Sequence, residues 1–230
     1  MKILAIDTSA LTASAAVADG SDILGEISFT CSLNHSQTIM PMIDSLLKGL
    51  SLTPSDIDLF ACSNGPGSFT GLRIGIGTIK GLAYGTDKNA VGVSTLKALA
   101  YNAALSGKLI APIMDARRNQ VYTALYKYEN NRMIEVMPPC AMDCGELCAL
   151  IKEETVFVGD GVKPFREQII SHLGELAFFP PANQILQRAS NVALAAMDEP
   201  YGDAASLNAV YLRKSQAERE RENSERNENI

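Results

Sequence analysis

The 230-residue sequence predicts an α/β chain of two lobes, each a mixed sheet with flanking helices. Strand and helix signals run strand-strand-strand-helix-strand-helix-strand-helix over the first half, and a similar order restarts near Lys108. Each half also opens on an apolar strand that ends in aspartate and a polar turn, Asp7-Thr8-Ser9 and Asp115-Ala116-Arg117-Arg118.

The elements follow in order. Residues 3–6 are a continuous apolar run, and 13–18 and 23–30 are strands around the turn Gly20-Ser21-Asp22. Asn34 is placed to cap a helix, with Gln37 at the third helical position as in a capping box. Ile39, Ile43, Leu46, Leu47 and Leu50 then recur at helical spacing; Pro41 falls in an early turn, and Thr53-Pro54 ends the pattern. Residues 58–63 form a strand, and Ser68 opens a glycine-rich helix. Residues 90–93 form the next strand, and Ser94 caps a helix to about residue 105. In the second half, 109–114 and 121–128 are strands around the turn 115–120, and 132–137 is a third. A helix over 143–153, a strand over 155–158, the turn Gly159-Asp160-Gly161 and helices over 164–172 and 185–197 complete it. Residues 214–230 alternate Glu and Arg and read as a solvated, disordered extension. The predicted units are therefore 1–106, 107–213 and 214–230.

Composition bounds the function. The chain is 47% apolar and 20% charged, with a net charge of −6, which argues against an independent nucleic-acid binder with a basic face. No apolar run is long enough to span a membrane, and Asp7 comes too early for a signal-peptide core, so a cytoplasmic protein is expected. Five cysteines, an odd count, read as reduced thiols. Cys140, Cys144 and Cys148 are spaced by four with no histidine nearby, which favours buried inert thiols over a metal cluster.

Residues 64–85 carry the strongest signal. Gly71 and Gly75 are four apart, and Gly77, Gly81 and Gly85 continue at that interval. Each interior glycine costs a helix roughly 0.8–1 kcal/mol against alanine. Such spacing allows close approach, either to the lobe's own sheet or to a helix of a partner. At the helix head, Gly65-Pro66-Gly67-Ser68 suits a rigid turn capped by Ser68 or an anion loop, and the rigid turn is favoured. Arg73 lies one turn inside. Arg117 and Arg118 suit a solvated turn better than a phosphate contact.

Two lobes with facing aspartate turns are the pattern of the actin/Hsp70/sugar-kinase superfold, whose turns hold nucleotide phosphates and a metal. Active members have glycine beside these acids, whereas 9–12 and 116–119 contain none. Asp7, Thr8, Ser9, Gly65, Gly67, Ser68 and Asp115 therefore read as a degenerate nucleotide site.

Asn64-Gly-Pro-Gly-Ser-Phe-Thr-Gly-Leu-Arg-Ile-Gly75, with Asp7-Thr-Ser9, His35-Ser36, Asp115-Ala-Arg-Arg118 and Tyr211-Leu-Arg213, closely resembles the TsaB (YeaZ) family over nearly the whole chain to residue 213. The resemblance implies a non-catalytic partner of a TsaD-like transferase in the synthesis of threonylcarbamoyladenosine at position 37 of tRNAs. TsaC makes the threonylcarbamoyl adenylate there, and the TsaE ATPase is also required. TsaD-like proteins bind a metal through His-x-x-x-His after the strand that follows the glycine helix. Here Thr95 and Leu99 stand at those positions with Lys97 between them, and the only histidines are His35 and His172. No metal site and no catalytic residue are expected. The resemblance further implies a docking face for TsaD, or for a second copy in a homodimer, on the first and glycine helices: His35, Ile39, Met42, Ile43, Leu46, Gly71, Arg73, Gly75, Thr78 and Leu82. It implies no required cofactor, room for ATP or ADP at the joint between subunits, and contact with tRNA through the complex. Two competing classes are an actin-like ATPase or phosphotransferase, which needs glycine phosphate turns, and a metal-dependent peptidase, which needs the histidine pair.

Overall fold

The structure is a computed structural model and describes residues 1–30 and 34–213. Strands β1 (Lys2–Asp7), β2 (Thr12–Asp19) and β3 (Asp22–Thr30) form an antiparallel meander. The chain crosses through α1 (His35–Gly49) to β4 (Leu59–Gly65), parallel to β1, and through α2 (Phe69–Thr86) to β5 (Asn89–Ser94), parallel to β4. Parallel neighbours require such crossovers. The sheet order is β3-β2-β1-β4-β5. After α3 (Thr95–Ala100), the second lobe repeats the plan with β6 (Leu109–Asp115), β7 (Gln120–Glu129), β8 (Arg132–Asp143), α4 (Cys144–Leu150), β9 (Thr155–Val158), α5 (Val162–Leu173) and β10 (Ala177–Phe178). Its order, β10-β9-β6-β7-β8, has the same topology as the first.

Each sheet is covered on both faces. On the first, α1 and α2 pack over Leu4, Ile6 and Phe60. The other face is covered by α6 (Ala189–Ala196), whose Val192, Ala193 and Ala196 meet Ile3, Ala5 and Leu59. On the second, α4 and α5 lie over Ile113 and Phe157, and Leu96 and Leu99 of α3 meet Ile110, Met114 and Tyr126 on the opposite face. Each lobe's inner face is thus closed by a helix from the other half of the chain. Small residues make this close layering possible: β1 and β2 place Ala5 opposite Ala16 and Ile6 opposite Ala15. Between the lobes Lys97 pairs with Glu199 at 2.7 Å, and the Asn191 amide donates to Asn102 Oδ1 at 2.7 Å.

This exchange corrects the predicted boundary between 1–106 and 107–213. From residue 189 the chain belongs to the first sheet, and 95–100 serve the second. The predicted extension 214–230 lies outside the described residues. Other differences are local. Asn34 caps α1 through Ser36 N–H at 3.5 Å, and Gln37 supplies only its backbone N–H. The reciprocal arrangement forms instead at Thr53, whose N–H and hydroxyl both donate to Asp56. The helix after Ser94 ends at Ala100, and a 3-10 stretch with Ala103 off helical geometry follows. Strand β8 runs through Pro138 and Pro139 to Asp143, tolerated because it is an edge strand, so Cys140 lies on a strand and only Cys144 and Cys148 share α4. Helix α6 begins at Ala189, four residues later than predicted.

Candidate functional site

A cleft of about 690 Å³ lies where the two aspartate turns approach each other. Ser9, Gly67, Ser68 and Asp115 line it, with Arg117, Asp160, Lys163 and Arg213.

The first turn is closed on itself. Asp7 is 1% exposed and does not line the cleft. Its Oδ1 accepts from Ser9 N–H at 2.8 Å and the Ser9 hydroxyl at 2.7 Å, and the Ser63 hydroxyl donates to Oδ2. Burial pushes its carboxyl above the ordinary range, opposed by those hydrogen bonds. Thr8 is also buried and donates to the Gly71 carbonyl at 2.8 Å. Ser68 N–H donates to the Ser9 carbonyl at 2.7 Å, and Ser68 Oγ accepts from Gly71 N–H. The head of α2 is therefore a capped turn, with the Ser68 and Gly71 N–H groups bonded inside the lobe. Gly67 permits this contact, because a Cβ there would sit 2.5 Å from the Ser9 carbonyl oxygen. Gly65 leaves the site: its φ is +134°, and a Cβ would meet Val210 O at 2.1 Å. It serves the C-terminal segment.

The second turn has no glycine, yet Arg117, Arg118 and Asn119 all take left-handed conformations, at φ +64°, +55° and +60°. Asp115 holds the turn by accepting from Arg117 N–H at 2.8 Å and Arg117 Nη1 at 3.2 Å. Both arginines are exposed.

The segment 207–213 spans the cleft. Val210 N–H donates to the Asn64 carbonyl, and the Tyr211 ring stacks on Phe69 at 4.8 Å. Arg73 lies 3.8 Å over the Phe69 ring and donates to the Tyr211 hydroxyl at 3.3 Å. Arg213 donates to the Ala116 carbonyl at 2.9 Å and to Gln120 Oε1. Sequence reasoning marked Tyr211 and Arg213 only through family likeness, and it missed Tyr122, Asp160 and Lys163 as cleft residues. Asp160 lies in a turn with no periodicity, and the strand and helix patterns that carry Tyr122 and Lys163 do not say that those side chains reach a cleft.

The docking residues taken from the resemblance need correction in part. Ile39, Met42, Ile43 and Leu46 are buried in the first lobe's core. Gly71 and Gly75 face inward, where a Cβ would lie 2.0 Å from Thr8 O and 2.5 Å from Thr8 Oγ1. His35 is half-buried and bonds the Ala10 carbonyl at 2.7 Å. The Thr78 hydroxyl donates back to Ile74 O, and Leu82 packs half-buried on the core. Of that list, Arg73 alone is exposed. The outward surface of α2 is instead Gly77, Gly81 and Gly85, each with no atom within 4 Å of an added Cβ, beside Tyr84 at 89% exposure.

Thr95 and Leu99, at the histidine positions of TsaD-like proteins, are buried, and Leu99 packs among the second lobe's apolar residues. Neither side chain fits a metal site. Among the described residues no His, Cys, Asp or Glu group is placed to hold a metal ion. Cys144 and Cys148 are buried, and their mutual contact together with burial pushes the Cys144 thiol up. Among the described residues no helix is long and apolar enough to cross a membrane.

A family model described as TsaD, tRNA N6-adenosine threonylcarbamoyltransferase, matches residues 28–219. The tRNA threonylcarbamoyladenosine biosynthesis protein TsaB of Bacillus subtilis (strain 168) is 34% identical over 221 residues, covering 95% of this chain and 96% of the relative. The solved structure of YeaZ from Pseudomonas aeruginosa superposes with a TM-score of 0.81 at 25% identity, over 92% of this chain and 99% of that one. For fold alone, component A of (R)-2-hydroxyglutaryl-CoA dehydratase from Acidaminococcus fermentans gives 0.51 at 12% identity, over 84% and 96%. With its duplicated actin-like fold and these matches, the chain belongs to the TsaB (YeaZ) family of tRNA threonylcarbamoyladenosine biosynthesis proteins.

Proposed function

We propose that this chain is the non-catalytic subunit of a tRNA threonylcarbamoyladenosine-forming complex, and that it docks a TsaD-like transferase through the outer ridge of α2. One observation carries the docking reading. Gly77 and Gly81 weaken the helix interior by about 1.6–2 kcal/mol together, with Gly85 near its C-terminal end, yet no described residue comes within 4 Å of a Cβ added at any of the three. A covering helix from another molecule supplies the missing reason. The relative's name places it in threonylcarbamoyladenosine biosynthesis, and the TsaD match supports a transferase-type partner. Buried Thr95 and Leu99 and the self-satisfied Asp7 support a supporting role over peptidase or ATPase chemistry. On this reading ATP or ADP, if the complex uses it here, sits in the cleft beside Ser9, Ser68 and Asp115 once the partner completes it. A TsaE-like ATPase and a cytoplasmic setting complete the reading, with self-pairing through the same ridge when the partner is absent.

Gly77→Arg and Gly81→Arg are the test. Both should weaken pairing with TsaD by roughly a hundredfold or more, read by titration and gel filtration, without lowering the melting temperature. Pairing that survives both variants rules out the ridge. A reconstituted modification assay with TsaC, TsaD, TsaE and tRNA, run with and without this chain, tests the activity. Equal modification without it defeats the subunit role.

A further inference from the structure

Phe69, Arg73, Gly77, Gly81 and Gly85 lie at four-residue intervals, so the outer row of α2 continues past its glycines to the head of the helix, winding about 40° per step. The C-terminal segment borders this row. The turn Ala204–Ser206 packs on α2, and Lys80 Nζ donates to the Ala205 carbonyl at 3.0 Å. Farther along, Tyr211 stacks on Phe69 and its hydroxyl accepts from Arg73, so the segment runs antiparallel to the helix. Between these contacts Leu207 anchors it in the first lobe's core. Tyr84 at one end of the border, and Phe69 and Tyr211 at the other, are exposed apolar rings. Arg73 has no carboxylate partner among the described residues. Past Tyr211 the segment leaves α2 for the second lobe, where Arg213 donates to the Ala116 carbonyl and to Gln120.

We propose that residues 203–211 form the second wall of the docking surface, and that a transferase-type partner seated against this wall clamps the two lobes across the cleft. The inference rests on the docking ridge proposed above. A helix is about 10 Å wide and four residues rise about 6 Å, so one laid over Gly77 and Gly81 also abuts Arg73 and the stack beside it. The occupant that fits is an apolar helix carrying a carboxylate where it meets Arg73. Covering the stack excludes water from it, and a cation over a ring is held more tightly once desolvated. Tyr211 is then fixed on α2 while Arg213 stays on the turn of the second lobe, so the strap between them no longer opens. Such coupling is reciprocal: whatever fastens the strap to the second lobe also favours docking.

Hydrogen exchange of the full chain, alone and saturated with TsaD, tests the clamp. TsaD should slow exchange over 207–213 by roughly fivefold or more. Titration with TsaD gives a second reading. Arg213→Ala, which removes contacts with the second lobe only, should weaken pairing roughly fivefold, and Arg118→Ala, on the same turn but outside the strap, should leave it unchanged. Tyr211→Phe keeps the ring and the fold, loses only the hydroxyl that Arg73 meets, and should weaken pairing as well. Pairing that Gly77→Arg abolishes but that leaves exchange over 207–213 unaltered overturns the clamp and keeps the ridge. So does pairing that Arg213→Ala and Tyr211→Phe both leave intact. Pairing that survives Gly77→Arg overturns both. Protection that rises with the chain's own concentration and ignores TsaD assigns the wall to a second copy and overturns the choice of partner.

Discussion

A methyl group added at Gly71 would lie 2.0 Å from the Thr8 carbonyl oxygen, whereas one added at Gly81 meets nothing within 4 Å. The same substitution therefore has opposite signs at the two sites. Gly81→Ala should stabilise the isolated chain by about 0.8–1 kcal/mol through helix propensity. Gly71→Ala gains the same propensity but forces the β1–β2 turn away, a net loss of about 1–3 kcal/mol. Thermal melts of the two variants against wild type check both signs. Asp160 gives a pH signature. Burial pushes its carboxyl up to about 6, and Asp115's charge adds to the shift, against its own backbone N–H, Gln187 and Arg117. The folded state thus holds this proton more tightly than the unfolded chain. Its contribution is most favourable below about pH 4, falls as pH rises toward 6, and is flat above. Asp160→Asn should remove that fall and add up to about 2–3 kcal/mol at pH 7, read as the difference from wild type in urea melts at several pH values. Asp7 shows what sequence alone conveyed at this scale. Its position at a strand end was legible, but its enclosure by Ser9 and Ser63 was not, because Ser63 is fifty-six residues away.

In α2, a two-residue offset separates Gly75 from Gly77. At about 100° per residue that is about 200° around the helix, so Gly77 turns away from Gly75, and the four-residue steps to Gly81 and Gly85 keep to a second ridge that winds about 40° per step. The inner ridge seats the helix on Thr8, and the outer one lies bare. This split was present in the spacing and was missed because all five were read as one stripe. The apolar stripe of α1 was legible as a stripe, but periodicity cannot say what covers it. Ile39 and Ile43 belong to the lobe's own core, and Ile39→Asp should abolish soluble folding rather than selectively abolish pairing. Expression and circular dichroism of that variant distinguish the two outcomes. Strand β8 outran its predicted end because an edge strand tolerates Pro138 and Pro139.

At the scale of the molecule, the order of strands and helices sufficed to reveal the duplication. It could not reveal that α3 and α6 change places, since helical periodicity does not say which sheet a helix covers, and α6 meets strands that lie far back in the chain. The exchange makes the lobes interdependent. A fragment of residues 1–106 would leave Ile3, Ala5 and Val91 uncovered, and a chain ending at 187 would do the same. Neither is expected to give a cooperative melt, whereas the full chain should unfold in one transition by circular dichroism and tyrosine fluorescence alike. Two separated transitions would contradict the shared core.

Translation meets a difficulty in this arrangement. Strand β5 ends at Ser94 and its cover, α6, is finished at Ala196. Ribosomes adding about 5–20 residues per second leave that sheet face bare for roughly 5–20 s. Nascent chains halted in this interval are the species that holdase chaperones should capture.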